Sequence, residues 1–321
     1  MNVGLTRCMT LSRVISALVL AICAIMPFLA PAVGEPFLIG MFARAMIWSI
    51  AALSLNLIMG YGGMISFGHA AYLGVAAYTV GILSFHGVTS AWIQWPTALI
   101  VSAIVAFLFG AISLRTRGVY FIMITLALSQ MLYFLARSAE LYGSDDGLTI
   151  ARRSATGLSF LNLNDRVTFY YVIFAALLLC LFVLWRIVNS RFGMVIRGIK
   201  SNETRMEGIG ISTYRYKLAA FVIAGTMCGL AGILEANLEK FVSPDTLNWA
   251  RSGEMIFMVV LGGMGSLFGP VTGAVVYWLL QDKLADLTEH WQIIFGPFLI
   301  LVVLFARGGI DGMLKRRPRD A

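Results

Sequence analysis

The residues of this chain with chemistry to offer are polar groups set inside long apolar runs: Asn56, His69, Ser129 and Gln130. Placing such groups among apolar side chains is costly, so they should bond one another, satisfy freed backbone, or line a solute's route. Glu235 and Glu254 fall near the ends of apolar runs, where a carboxylate either lines an outer vestibule, touches a soluble partner, or reaches out to headgroups. Arg44 lies about two turns into its run and would reach the outer headgroups in that last way. Spacings for covalent or metal catalysis are missing. His69, His86, His290 and the four cysteines show no HExxH or CxxC pattern, and no serine sits in a GxSxG elbow. There is no Gly-Lys dipeptide, hence no GxxxxGK[ST] phosphate loop, so ATP hydrolysis that drives this chain must reside on another subunit. The expectation is a protein with no catalytic residues, no metal site and no cofactor of its own.

The elements that position these groups are marked by a repeated phrase. Gly62-Gly63-Met64-Ile65-Ser66 and Gly262-Gly263-Met264-Gly265-Ser266 are each followed by Phe-Gly and a stretch of small residues. Glycines that interrupt hydrophobic segments at matching places point to broken helices, the devices that build substrate routes in transport proteins. Ser66 and Ser266 would satisfy backbone at the breaks, and His69 would bond freed carbonyls just beyond the first. The alternative is that the glycines only let helices pack closely. Gly62, Gly63, Ser66, His69, Gln130, Gly262, Gly263 and Ser266 are therefore the candidates for the path or its helix breaks.

Composition fixes the solvent. The 321 residues are 59% hydrophobic and 12% charged, with a mean hydropathy of +0.84, whereas a soluble domain is about a quarter charged. Ten apolar runs, 14–33, 37–59, 66–84, 92–114, 118–136, 167–188, 218–236, 254–262, 267–281 and 291–306, predict an all-α, polytopic membrane protein. It has about 10 spans and broken or re-entrant segments near Gly62-Gly63 and Gly262-Gly263. The run 254–262 is expected as a half-helix, because nine residues rise only about 13 to 14 Å against a hydrocarbon core of about 30 Å. A net charge of +8 does not indicate nucleic acid, since the bases sit between apolar runs. The densest, 186–217, Arg115/Arg117 and 307–319, should face the cytoplasm, and ten crossings then leave both termini there. Arg7, Arg13, the run from Val14 and Ala30-Pro31-Ala32 resemble a cleavable leader, but the run is long enough for a retained first helix, the reading favoured. The chain reads as one transmembrane domain, 1–321. The topology puts both glycine phrases at the cytoplasmic ends of their spans, which an inverted five-plus-five repeat does not predict.

Residues 189–216 form the most informative polar stretch. Ser201 or Asn202 can cap a short helix with Glu203 in its first turn, where the helix dipole favours negative charge, and Gly208 and Gly210 can end it. With Met206 and Ile209 as apolar contacts, such a helix would fit a groove of a cytoplasmic partner. An ordinary basic loop that docks nothing is the alternative.

Several stretches resemble the permeases of bacterial ABC importers for branched-chain amino acids, the LivM-like branch of the LivH/LivM family. They are Ser66 to Gly74, Arg117 to Phe121 with Thr125-Leu126-Ala127, Arg215 to Val222, Phe241 to Pro244, and Ser252 to Pro270. Tyr142 to Leu148 lacks the Thr-Gly-Gly start usual in that family. The resemblance implies a bacterial inner-membrane permease that binds no cofactor itself. Its partners would be a second permease subunit, two cytoplasmic ATPase subunits carrying ATP and Mg, a periplasmic binding protein that meets the loop at about 137–166, and membrane lipid. It also implies that 199–210, with Asn202, Glu203, Thr204, Arg205, Met206, Glu207 and Gly208, couples to an ATPase. Relatives that take urea or short amides keep a second substrate class open. An ion-coupled secondary carrier is the rival class, disfavoured because the middles of the runs lack carboxylates.

Overall fold

The computed structural model describes residues 14, 17–30, 37–157, 162–287, 290–305 and 308–315. The candidate leader signals at Arg7, Arg13 and Ala30-Pro31-Ala32 lie wholly or partly outside these residues, as does most of the basic tail 307–319. The helices are α1 (Ala17–Ala30), α2 (Phe37–Asn56), α3 (His69–Phe85), α4 (Ala91–Ser113), α5 (Val119–Arg137), α6 (Arg166–Val188), α7 (Arg191–Ser201), α8 (Glu203–Gly208), α9 (Thr213–Glu239), α10 (Trp249–Gly262), α11 (Gly269–Leu287), α12 (Trp291–Phe305) and α13 (Gly309–Lys315). Among the described residues, each of the ten apolar runs overlaps a helix. Among the described residues, five of these helices, α2, α4, α5, α6 and α9, are long and apolar enough to cross a membrane.

Short polar caps set the helix starts. Asp165 accepts from Thr168 N at 2.9 Å to open α6, Asn202 accepts from Arg205 N at 2.9 Å to open α8, and Asn248 accepts from Ala250 N at 3.1 Å to open α10. The last of these corrects the expected half-helix at 254–262. It begins at Trp249 and has 14 residues, about 21 Å, which still falls short of the hydrocarbon thickness. Arg251 and Glu254 lie on one helical face and pair at 3.1 Å. The 189–216 stretch likewise holds two helices, α7 and α8, with Asn202 rather than Ser201 as the cap between them.

Helix α2 is the core of the bundle, buried from Ala45 to Tyr61. It is flanked by α9, whose small residues Ala224, Gly225, Cys228, Gly229, Ala231 and Gly232 are buried or nearly so, an interface that lets apolar helices approach closely. Cys23, Cys180 and Cys228 are free and buried, as small core residues should be. Helix α10 runs beside α2 in the same sense. The Arg251 guanidinium lies 5.8 Å from the Trp48 ring centre, near the start of α10 and midway along α2, and Gly265 meets Asn56 further along both, past the end of α10 and at the end of α2. The two glycine phrases therefore end parallel helices, not the antiparallel pair that an inverted duplication of these segments would give. At the end of the bundle away from α7 and α8, β1 (Leu148–Thr149) pairs antiparallel with β2 (Phe241–Val242).

Candidate functional site

Both glycine phrases are true breaks. After Asn56 the helix α2 widens into one π turn, Leu57–Tyr61, and stops where Gly63 takes φ +72°. Helix α10 stops at Gly262, and Gly263 takes φ +119°. Both values lie where a side chain is strained, so glycine is what allows the chain to turn there. The serines close the loops. Ser66 Oγ accepts from Gly68 N at 3.3 Å, while Ser266 Oγ donates to Gly263 O at 3.1 Å and accepts from Gly269 N at 2.8 Å.

The breaks touch. Asn56 Nδ2 donates to Ser266 O at 2.8 Å and Asn56 Oδ1 accepts from Gly265 N at 2.9 Å. One buried amide thus satisfies both a donor and an acceptor freed by the second break, from inside the helix that carries the first. Gly60 and Gly265 have backbones so close that a Cβ on Gly60 would fall 2.6 Å from Gly265 N.

A third element joins them. Lys200 Nζ, near the end of α7, donates to Gly60 O at 2.6 Å, inside the π turn, and its stem lies against Gly63. A cavity of about 360 Å³ lies beside it, walled by Gly62, Gly63, the α4–α5 turn at Arg117, and Lys200 to Glu203. Glu203 accepts from Lys217 Nζ at 2.5 Å, Arg117 approaches Glu203 and Glu207 at 3.8 Å, and Glu207 accepts from Thr213 Oγ1 at 2.9 Å. Burial alone would raise the Glu203 carboxyl. The Lys217 hydrogen bond and charge, with Arg117, outweigh it and hold the group below its ordinary value. Helix α8 is thereby fastened to α9 and the α4–α5 turn, and through Lys200 the α7–α8 corner is fastened to the first break, which Asn56 joins to the second.

The expected site residues divide into three sets. Asn56, Gly62, Gly63, Ser66, Gly262, Gly263 and Ser266 meet at the paired breaks. His69 does not bond freed carbonyls as expected: it starts α3, is fully buried, and its Nε2 lies 2.8 Å from Ser54 Oγ. Ser129 donates to Leu247 O at 3.0 Å, and neighbouring Gln130 on α5 keeps a buried Nε2 with no partner. Glu254 is paired with Arg251, while Glu235 on α9 holds one buried oxygen without a hydrogen bond. Of Asn202, Glu203, Thr204, Arg205, Met206, Glu207 and Gly208, the polar members hold or decorate α8, but Met206 is turned inward against Gly198 of α7. That leaves Ile209, 68% exposed, as the apolar contact available to a partner. Lys200 was not singled out by sequence reasoning, since no local spacing separates it from the other bases of 186–217.

Comparison with known proteins bears on the fold and the family. Residues 37–304 match the family model described as branched-chain amino acid transport system / permease component. The high-affinity branched-chain amino acid transport system permease protein LivM of Salmonella typhimurium is 29% identical over 91% of this chain and 75% of its own length. The protein of the same name from Escherichia coli is 28% identical over 88% and 73%. A solved ABC transporter chain, described as of metal-chelate type and in an inward-facing conformation, superposes with a TM-score of 0.53 at 16% identity, covering 90% of this chain and 97% of that one. At that identity the match speaks for the fold.

Proposed function

The chain belongs to the family of permease components of branched-chain amino acid transport systems, and from that premise we propose that it forms, with a second permease subunit, the route of an ATP-driven importer for branched-chain or closely related amino acids. Two ATPase subunits, carrying ATP and Mg, engage α8 from the cytoplasm. A periplasmic binding protein delivers the amino acid at the opposite end, and the assembly sits in the bacterial inner membrane with the α7–α8 corner facing inward.

The observation that carries the mechanism is the Lys200–Gly60 hydrogen bond. An ATPase that moves α8 moves Asn202 and the end of α7, and Lys200 hands that displacement to the π turn of α2. Asn56 passes it on to the break between α10 and α11. Broken backbone at depth is tolerated where protein or a water-filled cavity covers it, so the paired breaks are the part of the bundle able to change shape without exposing polar backbone to lipid.

Replacing Glu203 to Glu207 with a Gly/Ser linker tests this reading in the co-expressed assembly. ATP hydrolysis should lose its coupling to uptake while the membrane helices still insert and assemble. Normal ATP-driven uptake by that variant removes the coupling role, and proton-driven uptake by this chain alone favours a secondary carrier.

A further inference from the structure

We propose that an arginine-lined cavity at the bundle end opposite α7–α8 binds the phosphate of an anionic phospholipid. The cavity, about 220 Å³, lies between the starts of α2 and α6 and the end of α9, with Arg44, Arg153, Arg166 and Glu239 on its walls. Its single lining carboxylate is already committed: Glu239 takes Arg44 through both oxygens, at 2.6 and 3.0 Å. The adjacent Asp165 is committed too, accepting from Thr168 N and Thr168 Oγ1 at 2.9 and 2.7 Å as the cap of α6.

Arg153 is therefore a cation short of counter-charge. It is only 9% exposed, and its guanidinium donates to neutral carbonyls, Asn237 O at 2.9 Å and Leu163 O at 3.1 Å, above the Phe169 ring at 4.5 Å. Among the described residues neither Arg153 nor Arg166 forms an ion pair. Burial, and then the charge of Arg166, outweigh the opposing charge of Asp165 and hold the Arg153 guanidinium below its ordinary value. A buried charge without an opposite partner is costly, and an oxyanion in the adjacent cavity offsets that cost.

The surroundings select the source of the oxyanion. Arg44 and Gly60 are 16 residues apart along α2, about 24 Å, so the cavity lies near one headgroup layer when the π turn lies near the other. Its rim carries Met41 and Phe37, the latter 59% exposed. That apolar edge suits an acyl chain continuing from a bound phosphate, and not a free amino acid. Arginine donors at headgroup depth hold a phosphate through charge-assisted hydrogen bonds.

The test uses the full-length chain, delipidated in detergent, with native mass spectrometry and thermal unfolding as readouts. The probes are short-chain phosphatidylglycerol, short-chain phosphatidylcholine, inorganic phosphate and leucine. Phosphatidylglycerol should be retained and stabilise the chain. Exposed Arg166 changed to Gln should weaken retention roughly tenfold, the order expected for one charge-assisted hydrogen bond, and Arg166→Lys should keep most of it. Equal retention of phosphatidylglycerol by the parent chain, Arg166→Gln and Arg44→Gln overturns the site. Equal stabilisation by phosphate or leucine overturns the lipid assignment.

Discussion

Lys200 and Gly60, separated by 140 residues in the chain, meet through a 2.6 Å hydrogen bond from the ammonium to the carbonyl. A π turn opens the backbone of α2 at that point, and the lysine links its carbonyl to the α7–α8 corner. Substituting Lys200→Met keeps the stem against Gly63 and removes the donor. A hydrogen bond from a charged group contributes about 1.5–3 kcal/mol. ATP-driven uptake should fall by roughly tenfold or more while ATPase subunits still associate. Unchanged uptake would show that the corner moves the bundle by another route.

Asn56 serves both breaks, so its loss should be felt at both. Asn56→Leu leaves Gly265 N and Ser266 O without their partners, and a buried unmatched group costs about 1–3 kcal/mol. The unfolding midpoint should drop by several degrees. Asn56→Asp keeps the acceptor for Gly265 N but buries a carboxyl and sets an oxygen against Ser266 O, so its drop should be at least as large as that of the leucine variant. Thermal unfolding of the purified variants in one detergent checks the order.

Glycines of the two polar segments should respond in opposite ways. A Cβ on Gly262 would fall 1.8 Å from Gly269 O, backbone against backbone, so Gly262→Ala should strongly reduce the amount of folded protein. A Cβ on Gly208 meets nothing within 4 Å, and alanine there favours the last turn of α8 by up to about 1 kcal/mol. Expression and unfolding midpoint of Gly208→Ala should match or exceed the parent. A damaging Gly208→Ala would argue that the end of α8 is not as open as it stands here.

The Glu203–Lys217 contact sets a pH dependence. The folded carboxyl lies below its ordinary value near 4.5. Its contribution is present above the unfolded value and is lost as the pH falls below about 4.5 and through the folded value. Glu203→Gln should therefore lower stability at neutral pH and flatten that acid-side decline. Parallel acid profiles for parent and variant would mean that the ion pair contributes nothing measurable, as exposed pairs often do.

The amino-acid sequence by itself determined the solvent, the helical class and the place of both breaks. Apolar runs near membrane length leave helices as the spanning structure, and Gly63 and Gly263 mark turns that other residues adopt only under strain. It also narrowed the cap of α8 to Ser201 or Asn202, because capping is a local exchange between one side chain and a backbone amide a few residues on, and the structure chose Asn202. Where local pattern was misleading, neighbours in space were the reason. The apolar run begins only at Glu254, but Arg251 and Glu254 neutralise each other on one helical face, so α10 starts five residues earlier, at Trp249. Met206 turns inward because Gly198 leaves room for its sulfur, and a six-residue helix is too short for its period to reveal that. Only the tertiary structure decided that the two breaks are one site. The bonds from Asn56 to Gly265 and Ser266, and from Lys200 to Gly60, span more than a hundred residues. The Asn56 bonds exist because α2 and α10 pack side by side in the same direction, and the Lys200 bond because α7 packs against the π turn of α2, relations that leave no trace in the spacing of these segments.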